Sequence, residues 1–399
     1  MKPNWPQIRL GDVCNIIGGF AFKGNHFSDI KGDVKITDIN SPYINYNDAM
    51  LINLSYYDRE KLEKYIVQNT DFVVAMTGAT IGKIGRYFGK GIAYINQRVA
   101  KISPKNGIDK NYIYYSISGN DFQRFILNNI DSQSAQANIS STSIGRFPIL
   151  LPPLPIQRTI AVTLSCLDDK IELNNRINAN LEAQAQAIFK SWFVDFEPFR
   201  DGEFVDSELG KIPKGWRTGT LGDICHYSSA KIDISSLTTK NYISTENMLS
   251  NKAGFKSAVN LPTVKQTTMF NAGDVLISNI RPYFKKIVYC DLDGGCSADV
   301  LCLKPYSPKE SAFLYFTVYA DEFFDHMVSG SKGTKMPRGD KSHIMNYLIV
   351  IPPENVIFSY KDIAEPILSL KSNLTAENTR LSAIRDSLLP KLMVGEIDI

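Results

Sequence analysis

Two stretches of the chain carry residues of one face in alternating steps of three and four. In the first, Leu164, Leu167, Ile171, Asn174, Asn178, Leu181, Ala185, Ile188 and Trp192 fall on one line. In the second, Ile363, Ile367, Leu370, Leu374, Glu377, Leu381, Ile384 and Leu388 do the same. This heptad-like spacing predicts two long helices, each with a seam for a long partner. Each begins soon after a proline pair, Pro152-Pro153 or Pro352-Pro353, which disfavours helix immediately before it. The simplest arrangement packs the two helices on each other, antiparallel, along those seams. Asn174, Asn178 and Glu377 are polar seam positions, which cost stability but fix register. The plainer alternative has each helix packed only on its own domain.

Outside these stretches the apolar runs are short. Asp71 to Met76, Arg98 to Ile102, Asp274 to Ser278 and Lys285 to Tyr289 have strand length. From Asn111 to Ile130, and from Ser311 to Met327, the spacing turns helical. Val194 to Lys214 is charged, contains Gly202, Gly210 and Pro213, and reads as a connector. The fold class is therefore α+β, with helical segments set between mixed globular parts.

The pattern nearly repeats. Trp5 and Leu10-Gly11-Asp12 reappear as Trp216 and Leu221-Gly222-Asp223, an offset of 211. Asp71 reappears as Asp274, an offset of 203, and Tyr114-Tyr115-Ser116-Ile117 pairs with Tyr315-Phe316-Thr317-Val318, an offset of 201. The proline pairs lie 200 apart. An offset that only shrinks is what two copies of one unit with small deletions produce, and two copies imply a two-part target. The segments are then 1–150 and 201–350, globular, each followed by a helical segment, 151–200 and 351–399.

Composition narrows the class. No stretch approaches ~18 uninterrupted apolar residues, so no membrane span is expected. Met1-Lys2-Pro3-Asn4-Trp5 is not followed by the apolar run of a signal peptide. The six cysteines form no CxxC pair, so reduced thiols and a cytoplasmic location are the default expectation. Cys290, Cys296 and Cys302 are evenly spaced, and small buried residues explain them better than a metal. Net charge is +3; it is +5 over 1–150, −1 over 151–200, +1 over 201–350 and −2 over 351–399. A positive sign on the globular parts suits nucleic acid without establishing it.

No catalytic constellation stands out. Gly78-Ala79-Thr80-Ile81-Gly82-Lys83 resembles a phosphate loop, but it is one residue short and has Ile84 where a metal-binding hydroxyl belongs. His26, His226, His326 and His343 have no partners at ligand spacing, and no Gly-x-Ser-x-Gly elbow occurs. No metal site and no cofactor of its own are expected, which favours a binding or assembly component.

The candidate binding residues sit on loops after matching strands. In the first copy these are Thr77, Gly78, Thr80 and Lys83, with Asn96, Gln97 and Arg98 nearby. In the second they are Ser278, Asn279, Arg281, Lys285 and Lys286. A further pair of loops precedes the proline pairs. It contributes Gln136 and Asn138 in the first copy, and Lys332, Thr334, Lys335 and Arg338 in the second. Small residues admit a phosphate, while Arg and Asn reach base edges bidentately. The plainer alternative for any single loop is a solvated turn. Loops that match in place, yet differ in sequence, suggest one frame reading two things.

Four segments carry a family resemblance. They are Ile149-Leu150-Leu151-Pro152-Pro153-Leu154-Pro155-Ile156-Gln157-Arg158, then Ile188-Phe189-Lys190-Ser191-Trp192-Phe193-Val194-Asp195-Phe196-Glu197-Pro198, then Leu209-Gly210-Lys211-Ile212-Pro213-Lys214-Gly215-Trp216, and the tail Leu388-Leu389-Pro390-Lys391-Leu392-Met393-Val394-Gly395-Glu396-Ile397. In that order and inside a double repeat, they resemble the specificity subunit of type I restriction–modification systems. The second half departs from the pattern, with Glu354-Asn355-Val356-Ile357-Phe358 after its prolines.

The resemblance implies two target-recognition domains joined by an antiparallel coiled coil, with a pseudo-two-fold repeat. Each domain would read one half of a split sequence in double-stranded DNA. Two methyltransferase subunits and ATP-dependent restriction subunits would be the partners. S-adenosylmethionine and ATP would be bound by those partners, not by this chain. Trp192 and Phe193, at the end of the first helix, read either as a partner contact or as packing on the second domain. A helix from Ile156 to Lys190 spans on the order of 50 Å at ~1.5 Å per residue. That is roughly 15 base pairs at ~3.4 Å per step, so the helices act as a ruler for the unread gap. Two competing readings are a protein-interaction scaffold that never touches DNA, and a subunit of a modification-only system.

Overall fold

The computed structural model describes residues 4–28, 33–36, 39, 43–45, 50–89, 91–130 and 137–397. The chain forms two compact units. Unit 1 is Met1–Glu172 with Asn378–Ile399, and unit 2 is Leu173–Glu377. This division passes through both long helices, Leu154–Phe193 and Glu354–Met393, each of 40 residues. The four segments read from the sequence set the helices apart as spacers. Packing shares them out, because each half-helix lies on a core. Ile160, Ala161, Leu164 and Leu392 join the core of unit 1, whereas Ala185, Phe193, Tyr360, Ala364 and Leu368 join that of unit 2.

Within unit 1 a strand pair, Gln7–Arg9 with Pro148–Leu150, closes the ends of the globular part. One five-stranded sheet runs Cys14–Gly18, Val99–Pro104, Phe72–Ala75, Ile84–Phe88, Tyr43–Asn45. A second contains Met50–Ile52, Asp33–Ile36 and Ala93–Ile95. Helices Lys110–Ile117 and Asn120–Asn128 cover the first sheet; Gly119 divides what the sequence reads as one helical stretch.

Unit 2 repeats the plan by itself. Arg217–Thr220 pairs with Leu348–Ile351. A four-stranded sheet runs Cys225–Tyr227, Val300–Pro305, Val275–Ser278, Ile287–Tyr289. The sequence offsets reappear as register. Arg9 pairs with Pro148 as Thr220 pairs with Leu348, Cys14 with Pro104 as Cys225 with Pro305, and Ala75 with Val99 as Ser278 with Val300. Helices Ser311–Tyr319 and Asp321–Ser329 follow, broken at Ala320. The connector is more ordered than its composition suggests: it holds a hairpin of Phe204–Ser207 on Gly210–Pro213. Cys290, Cys296 and Cys302 are buried in one apolar cluster, and burial pushes the Cys296 thiol up to about 12.

The helices run antiparallel where they meet. In unit 2, Asn174 Nδ2 donates to Glu377 (2.8 Å), Asn178 Nδ2 to Thr375 (3.2 Å), and Glu182 pairs with Lys371, one number rising as the other falls. In unit 1, Arg385 pairs with Asp168 at 2.8 Å. Part of the apolar seam is corrected. Leu164 and Ile171 are buried; Leu167, Leu181, Ile188, Ile367, Leu374, Leu381 and Leu388 are half-buried. Ile363, Leu370 and Ile384 are exposed, by 38%, 44% and 47%. The inner face runs one residue later, through Ala364, Lys371 and Arg385. An apolar pattern cannot register a seam whose inner positions are cations held by carboxylates.

At the start of the first helix Gln157 is buried. Its amide donates to Pro152 O (2.8 Å) and its carbonyl accepts from Asp109 N (3.0 Å). In the second half Ile357 stands at the same place, 200 residues on, and is also buried. The departure there replaces a hydrogen-bonded anchor with an apolar one.

Candidate nucleic-acid interface

The loops singled out in each copy are brought together, and by the same bonds. In unit 1, Met76 N donates to Arg98 O (2.7 Å), Ile139 N to Met76 O (3.0 Å) and Gly78 N to Ala137 O (3.1 Å). In unit 2, Asn279 N donates to Asp299 O (2.9 Å), Gly339 N to Asn279 O (3.1 Å) and Arg281 N to Pro337 O (2.8 Å). Isolated bridges repeat as well, Thr77 with Asn138 and Ile280 with Arg338. Buried backbone groups must be paired, and here the pairing staples the post-strand loop to the later loop in both units. The frame is shared; the side chains on it are not.

In unit 1 the frame carries Thr77, Gly78, Thr80, Lys83, Arg98 and Asn138. Lys83, Gln97 and Arg98 are exposed, and among the described residues neither Lys83 nor Arg98 has an ion-pair partner. Asn96 is corrected: it is buried, 8% exposed, and its backbone bridges to Phe20. Gln136 lies outside the described residues.

Unit 2 has more charge, and most of it is committed. Arg338 pairs with Asp299 at 3.0 Å. Asp299 stands where unit 1 has Arg98, since both precede the equivalent strands Val300–Pro305 and Val99–Pro104. Lys285, together with Lys252, pairs with Asp321 (2.9 and 2.6 Å), and their hydrogen bonds hold that carboxyl below its usual range. Lys286 donates to Thr245 O (2.6 Å), and burial lowers its ammonium. Ser278 is buried and donates to Ile280 O. The reading of Ser278, Lys285 and Lys286 as ligand contacts is therefore corrected to that of loop supports. Lys332 pairs with Asp340 at 2.7 Å. Thr334 and Lys335 are exposed.

The sequence reading missed the acids. Asp299, Asp321 and Asp340 each hold a cation of this surface. The offset of 201 places Asp299 opposite Arg98, and that signal could have found it. Asp340 also caps the helix Lys341–Met345, accepting from Ser342 N (3.0 Å) and His343 N (3.1 Å). The Lys332 hydrogen bond, with those from His343 N and Ser342 N, brings its carboxyl down to about 2. A carboxyl depressed in the fold contributes stability above its ordinary value near 4, lost as pH falls toward 2. The protection of the Ser342 and His343 amides, measured against their intrinsic exchange rates, is expected to fall over that window. Asp340→Asn, which cannot titrate, is expected to remove the pH step; a step that persists would place the acid-sensitive group elsewhere.

Of the two readings of Trp192 and Phe193, the fold shows packing within unit 2. Phe193 is 6% exposed, with ring centroids 5.0 Å from Phe313 and 4.9 Å from Tyr360. Trp192 is half-buried on Phe199 and Tyr360. Both belong to the core of unit 2. Among the described residues no helix is long and apolar enough to cross a membrane, and no cluster of His, Cys, Asp and Glu could hold a metal ion.

Known proteins are similar to this chain in sequence and in fold. The family model described as the type I restriction modification DNA specificity domain matches residues 2–183 and again 213–385. The chain belongs to that family. The type I restriction enzyme MjaIX specificity subunit of Methanocaldococcus jannaschii is 29% identical, across 99% of this chain and 94% of its own. The HindI specificity subunit of Haemophilus influenzae is 24% identical over 65% of this chain and 71% of its own. The crystal structure of an S subunit from M. genitalium superposes with a TM-score of 0.57 at 14% identity, covering 98% of this chain and 96% of that one. That likeness speaks for the specificity-subunit fold. The two family matches fall on the two copies whose stapled loops differ.

Proposed function

We propose that this chain is the sequence-reading subunit of a type I restriction–modification complex. Each unit reads one half of a split DNA target through its stapled loops. The observation that carries this is the repeat of three loop-to-loop hydrogen bonds in both units beneath different side chains. A frame built twice with different chemistry suits two different half-sites. Base edges are told apart by such side chains, while cations such as Lys83 and Lys335 suit phosphates.

Chemistry belongs to the partners. Methyltransferase subunits would bring S-adenosylmethionine and methylate adenine N6, and restriction subunits would use ATP. This chain contributes the address. Each helix, 40 residues long at ~1.5 Å per residue, spans about 60 Å, which suits a ruler for the unread gap.

The first test is co-production with the methyltransferase subunit of its own genome, followed by sequencing of host DNA for N6-methyladenine. One split motif with a fixed gap is the expected result. A stable complex without methylation would favour a scaffold, and DNA binding separates the two. A reader making several phosphate contacts weakens steeply with salt, whereas a scaffold has no DNA affinity to lose. Inserting one heptad in both helices is expected to lengthen the gap while keeping both half-sites. Altered half-sites with an unchanged gap would sink the ruler.

A further inference from the structure

Unit 2 holds two basic residues in the left-handed backbone conformation at positions where unit 1 has glycine. Gly78 and Gly82 have φ of 74° and 78°. The residues 203 positions later, Arg281 and Lys285, have φ of 51° and 49°. A side chain in this left-handed region crowds the following carbonyl, a steric cost that glycine avoids. Such strain persists where the side chain does something glycine cannot.

For Lys285 the structure supplies the reason, an ion pair with Asp321. Arg281 has no such reason. Among the described residues its guanidinium has no ion-pair partner, and its Nε is buried without a hydrogen bond. The other cations of the second frame are engaged: Arg338 by Asp299, Lys332 by Asp340 and Lys286 by Thr245 O. Lys335 lies on the exposed loop tip. Arg281 alone is anchored in the stapled frame, through its N–H to Pro337 O, with its charge unspoken for. On the same loop, two residues before it, Asn279 Oδ1 is also buried without a partner. A buried polar group without a partner calls for one, and a ligand edge at this loop can supply it.

Resting on the DNA-reading function above, we propose that Arg281 is the specificity-determining residue of unit 2 and reads a guanine edge in its half-site. The fork of a guanidinium matches the two acceptors, O6 and N7, that guanine shows in the major groove. Gly78, at the same place in unit 1, has no side chain to do this. The first half-site is then read through other groups of its frame, Arg98 and Asn138 among them.

The test is made on the full chain with its methyltransferase subunit, comparing wild type, Arg281→Gly and Arg281→Lys. The readouts are methylated motifs in host DNA, binding to randomised duplexes and the melting temperature. Exchange of residues 1–150 assigns the half-sites. Arg281→Gly relieves the left-handed strain, so the melting temperature is expected to rise. One G·C position of the unit 2 half-site is expected to relax, by roughly ten- to hundredfold in preference. The other half-site and the gap stay unchanged. Arg281→Lys keeps the charge but not the fork, so the same position relaxes. An unchanged motif in Arg281→Gly overturns the assignment. So does uniform weakening on all sequences, which marks a phosphate contact. A wild-type complex that reads no split sequence overturns the proposed function itself, and this inference with it.

Discussion

Phe193→Ala is expected to destabilise unit 2 by about 3–5 kcal/mol, the usual cost of emptying a buried aromatic site. Phe193 sits among Phe313, Tyr360, Trp216 and Phe189, with centroids 4.9 to 6.1 Å away across the set that includes Trp192. These rings cannot collapse into the gap easily, because they come from separate elements: the end of one long helix, the start of the other, helix Ser311–Tyr319, and Trp216 just before strand Arg217–Thr220. A shift of about 10 °C in the unit 2 transition follows for a unit of this size. Thermal unfolding of the full chain checks it, since the unit 1 transition should stay in place. The competing reading of Phe193 as a partner contact makes the opposite demand. An unmoved melting temperature with lost subunit binding would restore that reading.

The same residue shows where a sequence stops being legible. Its place at the end of a long helix could be read from periodicity, because the three-four alternation ran for many turns. Its burial could not, because the ring also packs on Trp216, Phe313 and Tyr360, 23 to 167 positions away, and periodicity carries no information about such partners. The repeat was legible in unusual detail, since shrinking offsets become strand register almost residue for residue. The second helix was less so. Its inner face holds Lys371 and Arg385, which look like surface residues until Glu182 and Asp168 are seen opposite them. The apolar residues one position earlier were the natural choice, and they are exposed.

The candidate loops divide along a similar line. That the loops occupy matching places in the two copies was legible; that 77–78 meets 137–138, and that 279–281 meets 337–339, appears only in the fold. Which cations remain free was not. Opposite charges distant in sequence decide it, as Asp321 does for Lys285 and Asp299 for Arg338. The left-handed backbone of Arg281 was likewise visible only once its glycine counterpart had been fixed by register.

Asp168→Ala is expected to cost unit 1 about 3 kcal/mol, on the order of what breaking a buried ion pair costs. The Asp168 side chain is 7% exposed. It accepts from Tyr115 OH at 2.7 Å on one oxygen and from Arg385 Nη1 at 2.8 Å on the other. It thereby ties the first helix at once to the globular part of unit 1 and to the second helix. Removing it leaves the Tyr115 hydroxyl without its acceptor in a site where that ring is 2% exposed. Arg385, 29% exposed, keeps only its neighbour Asp386. Asp168→Asn keeps an acceptor for Tyr115 but turns an amide NH2 toward Arg385, losing both the charge and the second acceptor; the loss is expected to be smaller than for Asp168→Ala because the Tyr115 bond survives. The triple change Asp168→Leu, Arg385→Leu and Tyr115→Phe removes every partner together and is expected to lie near wild type, because no buried polar group is then left unpaired. Chemical denaturation of the four proteins gives the comparison. A loss below about 1 kcal/mol for Asp168→Ala would mean that the pair is as weak as a solvated surface bridge. In that case the apolar contacts of Ile160, Leu164 and Leu392 hold the helices to unit 1 without it.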